Sequence, residues 1–234
     1  KTAGIKIQVL PGAGIANVGI GATAVISNSV LRDNSASSAG GAIYNTGSLT
    51  LVQSLIASNT ARTGGGIDHS GGTLHVLNST LDGNAAFDGG GALYSRADGV
   101  VEFTTFSNNS FNNLFVDGSS LALRASVIAD AVNSANCVFD QGTILSQGGN
   151  IDSGASCLLA GAGDQTNTDP MLGPLGLHGG VTSSRSLLAG SPAIDAADDP
   201  TCPLVDQRGA PRPYGAACDA GAFEWRPYLF LPRY

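Results

Sequence analysis

Between residues 20 and 140, apolar and polar residues alternate over short stretches, and no stretch shows the 3.6-residue spacing of an amphipathic helix. In the segment 72–81, Leu74, Val76, Ser79 and Leu81 share one side, while Thr73, His75 and Thr80 share the other. The phase shifts near Asn78. Alternation of period two predicts half-buried strands, and the phase shift predicts a bend between two of them. Glycine clusters at Gly40-Gly41, Gly64-Gly65-Gly66 and Gly89-Gly90-Gly91 predict tight corners, because glycine allows positive φ and close backbone approach. The pattern recurs every 25 residues: Asn34, Asn59, Asn84 and Asn109 are each preceded at −5 by Ser29, Ser54, Ser79 and Thr104, and at −3 by Leu31, Ile56, Leu81 and Phe106. A period of this length means a stack of repeats, each burying its apolar side only against its neighbours.

Three short strands and three turns per repeat predict an all-β fold: a single-stranded, right-handed parallel β-helix of about 25 residues per coil. Coils stack at roughly 4.8 Å, the ordinary inter-strand spacing. Asn34, Asn59, Asn84 and Asn109 then form a ladder of side-chain amides along the axis; the alternative is four turn formers, each bonded to its own backbone. The following coil is shorter, with Ser126-Val127-Ile128 coming 22 residues after Thr104-Thr105-Phe106. Five to six coils are expected, filling residues 1–145.

Composition narrows the setting. Only 12% of residues are charged and 33 are glycine, which suits flat β-faces. A net charge of −7 without a basic cluster excludes a nucleic-acid partner. No apolar run reaches the roughly 18 residues that span a membrane, and Lys1 reads as the start of a mature or trimmed chain. The cysteines lack metal-site spacing, and His69, His75 and His178 are scattered, so no zinc site is expected. Four cysteines allow three connectivities. The local one, Cys137–Cys157 and Cys202–Cys218, closes loops of about 20 residues, each worth roughly 3 kcal/mol, and disulfides imply an oxidising, extracytoplasmic location.

The stretches Gly40-Gly41-Ala42-Ile43, Gly90-Gly91-Ala92-Leu93 and Phe106-Ser107-Asn108-Asn109 resemble the GGA(I/L)–FxxN coils of bacterial polymorphic outer-membrane proteins, with Leu31, Ile56 and Leu81 replacing Phe elsewhere. Residues 146–157, 167–180, 187–199 and 206–224 are similar to the C-terminal region of secreted bacterial β-helix proteins that carry CSLREA or choice-of-anchor domains. That resemblance implies an end-closing extension over residues 146–222, a cell-surface or secreted bacterial protein, and architecture more than chemistry. Within 206–224, Asp206 and Arg208 can pair with Arg212, Asp219 or Glu224 in a loop tied by Cys202–Cys218. A calcium site drawn from Asp195, Asp198, Asp199, Asp206 and Asp219 is the alternative; no cofactor is assigned.

An enzyme would need two carboxylates facing across a groove. Asp33 and Asp82 miss a common register, Asp68 and Asp88 are isolated at corners, and Arg32, Arg62, Arg96 and Arg124 do not repeat in step. His69 and His75 read as surface residues. The expectation is a secreted, non-catalytic structural protein with no catalytic or metal residues. Solenoid ends expose unpaired backbone and apolar core, which invites pairing with another chain. The N-terminal strand residues Ile5, Ile7 and Val9, and Trp225, Tyr228, Leu229, Phe230 and Leu231 of the aromatic tail 223–234, are the candidate contacts for head-to-tail association into a filament. A monomeric adhesin binding surface glycans through aromatics such as Tyr44 and Tyr94, two coils apart, is the alternative; a polysaccharide lyase or glycosidase is a further one.

Overall fold

The computed structural model describes residues 14–197 and 202–227. Its parallel strands stack into three long sheets. Sheet A joins Ile15–Asn17, Ile43–Asn45, Ile67–His69, Leu93–Ser95, Leu114–Asp117 and Cys137–Asp140. Sheet B joins Thr23–Ser27, Ser48–Val52, Thr73–Leu77, Gly99–Glu102, Ser120–Arg124 and Thr143–Ser146. Sheet C joins Val30–Arg32, Leu55–Ala57, Thr80–Asp82, Thr105–Ser107, Val127–Ala129, Ile151–Asp152 and Gln165–Thr166. Neighbours in each sheet are one coil apart, so the chain is an all-β parallel solenoid of about 6 turns with about 25 residues per coil. Pairing passes residue 145 without a break: Ile151 sits on Val127 and Gln165 on Ile151, so the segment expected as an extension begins as further coil.

The corners show why the strands are so short. Between sheets B and C, one residue per coil adopts the left-handed conformation: Asn28, Gln53, Asn78, Phe103 and Ala125, with φ of 44–49°. After sheet C the same role falls to Asp33, Ser58, Gly83, Asn108 and Asp130. A single left-handed residue turns the chain sharply, and Asn, Asp and Gly tolerate it best. The third corner uses the glycine clusters. A Cβ on Gly41, Gly65 or Gly91 would fall 2.1–2.2 Å from a backbone oxygen, Gly65 O, Ala85 O and Ser110 O respectively. These glycines let successive coils close up.

Inside the coils lie Ile43, Ile67, Leu93 and Leu114 from sheet A, Leu49, Leu51, Leu121 and Leu123 from sheet B, and Ile56, Leu81, Phe106 and Ile128 from sheet C, all fully buried. Each such side chain contributes about 1.5–3 kcal/mol, but only when a neighbouring coil covers it.

Polar ladders run beside this core at the corners. Asn34 Nδ2 donates to Asn59 Oδ1 at 2.9 Å, Asn59 to Asn84 at 2.9 Å and Asn84 to Asn109 at 3.0 Å. The same oxygens accept the backbone N–H of the preceding Asn. The line continues from Asn109 through Asn113 and Asn136 to the Asp152 carboxylate, at 2.7, 2.8 and 2.6 Å. A second ladder takes the backbone N–H of Ser29 to Ser54 Oγ, Ser54 to Ser79, Thr104 to Ser126, Ser126 to Asn150 Oδ1 and Asn150 to Asp164 Oδ1. Both ladders donate toward the C-terminal end and stop on a carboxylate. A carboxylate only accepts, so it terminates a line of donors.

The chain after residue 168 departs from the expected end closure. It packs along the outside of sheet C, as a strap that includes the antiparallel pair Leu172–Gly176 and Ser184–Leu187. From the second coil on, the outward positions Leu55, Ala57, Thr80, Thr105, Ser107, Val127 and Ala129 of sheet C are uncharged and buried, and the one acid in this register, Asp82, is paired with Arg185 of the strap. A face of that chemistry is stable only when covered. The strap is pinned by Gln53 Nε2 to Asp206 O at 2.9 Å, Asn78 Nδ2 to Val205 O at 2.8 Å, Thr80 Oγ1 to Gln207 Oε1 at 2.6 Å and Arg185 Nε to Asp82 at 2.8 Å. Further along, Ala222 N donates to Thr105 Oγ1 and Gly221 N to Ala125 O. In the first coil Val30 is 46% exposed.

An interior ladder amide has partners on both sides, whereas Asn34 sits at the described start of the line. Asn84→Ala strands the Asn59 N–H and the Ile56 carbonyl and is expected to lower stability by about 3 kcal/mol or more; Asn34→Ala should lower it by less than about 1 kcal/mol. Urea midpoints of the two variants, read at equal slope, test the difference.

Candidate functional site

The coil ends, the outer sheet faces and the charged loop of the strap are the places where the solenoid could act on something else. At the C-terminal end the chain closes its own core. The loop 153–164 turns back over the last coil, Cys157 is fully buried in the main core, and Leu159 packs against it. The Cys137–Cys157 disulfide, with Cα atoms 4.8 Å apart, ties this loop to sheet A. Cys202–Cys218, with Cα atoms 6.3 Å apart, ties the strap, and Cys218 packs on Phe103, Ala125 and Ala197. At the other end, Ile15–Asn17, Thr23–Ser27 and Val30–Arg32 form the edges of sheets A, B and C among the described residues. Their inward residues Ile15, Ala24, Ile26 and Leu31 are only partly buried. Ile5, Ile7, Val9, Tyr228, Leu229, Phe230 and Leu231 lie outside the described residues. Trp225 is partly buried against the cluster in which Leu187, Ala193, Ala220 and Phe223 of the strap meet Val127, Ala129 and Ile151 of sheet C.

The strap's charges form a buried knot. Arg212 and Glu224 pair at 3.1 Å with both side chains fully buried, and Arg212 also donates to the carbonyls of Asp219 and Gly221. Glu224 further accepts the N–H groups of Tyr214 and Asp219. Asp206 takes a fork from Arg208 at 2.9 and 2.7 Å and the N–H groups of Ala210 and Glu224. Burial pushes the Asp219 carboxyl up to about 7, against the N–H groups of Asp195 and Trp225 that hold it; the Glu224 charge adds to the rise. These oxygens face arginines and amides, and no group of three or more His, Cys, Asp or Glu among the described residues could hold a metal ion. Asp198 and Asp199 of the calcium alternative lie outside the described residues.

The other buried acids are held in the same way. Asp68 accepts from Thr63 Oγ1 at 2.6 Å, from Ser70 Oγ and from Arg96 at 3.1 Å. Asp82 faces Arg185 of the strap, and Asp152 accepts from Asn136, Gly154 and Cys157. Exposed Asp88 pairs with Arg62 and Asp33 with Arg32.

His69 corrects the surface expectation. It is fully buried at the corner between sheets A and B, in a third ladder with Asn17 and Asn45. Asn45 Nδ2 is a donor, so His69 Nδ1 accepts at 3.0 Å and Nε2–H donates to Asp98 O at 3.1 Å. That is the neutral ring. Desolvation lowers the His69 pKa, outweighing the Asp98 carbonyl and the Asp68 charge that favour protonation. His75 does lie on the surface, 2.9 Å from Glu102.

Sheet A carries the aromatics in one outward column: Tyr44, Asp68, Tyr94, Phe115 and Val138. Tyr94 and Phe115 stack at 4.8 Å with planes 8° apart. The Arg96 guanidinium lies 4.8 Å from the Tyr94 ring centre, and the Tyr94 hydroxyl donates to Asp117 at 2.9 Å. Burial first, then Asp117, pushes the Tyr94 pKa up to about 12. In-register stacking turns the two rings toward each other along the axis, so this pair presents edges outward. A sugar platform needs open ring faces.

With a lowered native pKa, His69 stays neutral while the unfolded ring, at about 6.5, takes up a proton. Its contribution to stability is therefore full above that value and lost as pH falls below it. Asp219, with its raised pKa, acts in the opposite sense, losing its contribution as pH rises from about 4 toward 7. Stability measured from pH 7.5 to 5 in the native chain and in His69→Asn separates the two: the variant is expected to lose the acid-side decline attributable to the ring, and identical profiles would show that the ring does not resist protonation.

No family model, no curated protein and no solved structure matches the chain, and of the likeness to polymorphic outer-membrane coils and CSLREA-type regions the structure carries the parallel solenoid of about 6 turns.

Proposed function

We propose that the protein is a non-catalytic structural rod of the cell surface or extracellular matrix, which joins copies of itself end to end into a filament. The observation that carries the reading is the open start of the described coils; since the C-terminal coil end is itself closed, the aromatic tail 223–234 of a second copy is the segment that would cover it. At the C-terminal end, loop 153–164 covers the core and Asp152 and Asp164 terminate the ladders. At the start of the described coils stand three strand edges, partly buried core residues, and Val25 and Val30 at 68% and 46% exposure. Strand edges and apolar core residues are what a second solenoid end would cover.

The two disulfides fit an oxidising compartment. Among the described residues no helix is long and apolar enough to cross a membrane. The non-catalytic part of the reading rests on the buried carboxylates, each engaged by arginine, amide or hydroxyl donors. Asp219, its pKa raised to about 7, is among them, and its two oxygens are taken up by the N–H groups of Asp195 and Trp225.

Two contact modes have different products. Head-to-tail contact does not close and builds a filament; head-to-head contact closes as a pair. Sedimentation velocity across a concentration series, followed by electron microscopy, is expected to show growing assemblies and filaments. Ile26→Arg, which places a charge at the described head of the core, should shift the chain to single short rods. Assembly that stops at pairs limits the contact to head-to-head, and monomers at every concentration remove the proposal.

A further inference from the structure

The structure describes the chain as far as Pro227, and that residue forms part of the wall of a cleft of about 640 Å³. Most of the remaining wall is apolar, from Leu187, Leu188, Phe223 and Trp225. Arg208 and Arg226 also contribute, but their guanidinium groups bond outside the cleft, to Asp206 and to Pro211 O. Leu188 is 46% exposed and Trp225 is half-buried. Apolar wall that faces water gains stability from an apolar cover.

The chain itself supplies one. Pro227 is followed by Tyr228, Leu229, Phe230 and Leu231, an uncharged aromatic and apolar run closed by Pro232. Four residues reach at most about 14 Å from their start, so the run begins at this wall and cannot go far from it. On so short a tether, a segment competes with separate molecules at an effective concentration in roughly the millimolar range.

We infer that the cleft is the seat of the chain's own segment 228–231, whose side chains cover Leu188 and Trp225. The seat stands on the cleft and the tether alone. Its consequence rests on the end-to-end reading: a tail held in its own cleft is withheld from the head of a second copy. The seat is then an autoinhibitory contact, and assembly requires its release.

Trp225 is the chain's one tryptophan, so its emission reports the cleft. The full chain is measured at concentrations where sedimentation shows single molecules, with circular dichroism unchanged in each variant. Leu229→Asp with Leu231→Asp is expected to shift the emission to the red and raise its quenching by acrylamide, because a charged tail leaves the wall to water. Leu188→Arg should do the same from the side of the wall, and adding the tail substitutions to it should change nothing further. A synthetic peptide of residues 228–234 should reverse the shift of the tail variant saturably and leave the Leu188→Arg chain unaffected. Unchanged emission in the tail variant, a further shift in the combined variant, or a native signal that depends on protein concentration, as a neighbour's tail would give, overturns the seat. Assembly tests the consequence: Leu188→Arg, which frees the tail, should form assemblies at a lower concentration than the native chain. An equal or higher threshold overturns the autoinhibitory contact. If no chain assembles at any concentration while the emission results hold, the end-to-end reading falls, and the inhibition with it, and the seat stands.

Discussion

A coil of about 25 residues cannot bury its own polar groups, and the rest of the structure follows from that. Asn59, Asn84 and Asn109 are fully buried, yet each carries an amide that needs donors and acceptors. Most partners lie one coil along the axis, and Asn59 and Asn109 also donate to the carbonyls of Ala57 and Ser107 in their own coils. If a coil slipped by one residue, an Asn side chain would point outward and an apolar one would replace it inside. The ladders therefore hold register, while the leucines and isoleucines beside them supply the burial energy. Neither works alone, because apolar packing is tolerant of sliding and hydrogen bonds in water contribute little net stability.

Directionality is built into the same bonds. The amide-to-amide bonds all run toward the C-terminal end, while the same Nδ2 groups also donate back to the carbonyls of Leu31, Ile56 and Leu81, so the side-chain line must finish on an acceptor that asks for no further partner. Asp152 and Asp164 do this, at the coils over which loop 153–164 turns and where Cys157 enters the core. Termination of the ladders and closure of the apolar core thus coincide. The strap then covers a different liability, the outward side of sheet C, where it buries Leu55, Val127 and Ala129 and supplies partners to Thr80, Asp82 and Thr105.

Much of this was legible before any coordinates. The 25-residue recurrence of Asn, Ser and an apolar residue specified strands, corners, coil length and the in-register stacking of like residues, because each coil repeats the same local demands. Where the period breaks, legibility ends. Asn113 and Asn136 carry the first ladder onward at separations of 4 and 23 residues, so no fixed spacing pointed to them. His69 was missed for the same reason: the Asn17–Asn45–His69 column steps by 28 and then 24 residues. The left-handed corners at Phe103 and Ala125 had no signal either, since neither residue type favours that conformation.

By itself, then, the sequence determined an all-β parallel solenoid and its coil length; it allowed three pairings of the cysteines, of which the structure holds the local one. Only the tertiary structure decided that residues 169–197 and 202–227 form a strap along sheet C, that loop 153–164 closes the core, and that a cleft forms against Trp225. Stacking joins residues one period apart and leaves its trace as a repeat. The strap joins Thr80 to Gln207 and Gln53 to Asp206, across 127 and 153 residues, through contacts made once each. A contact made once leaves no periodic trace, and where it falls depends on which face of the finished solenoid remains apolar.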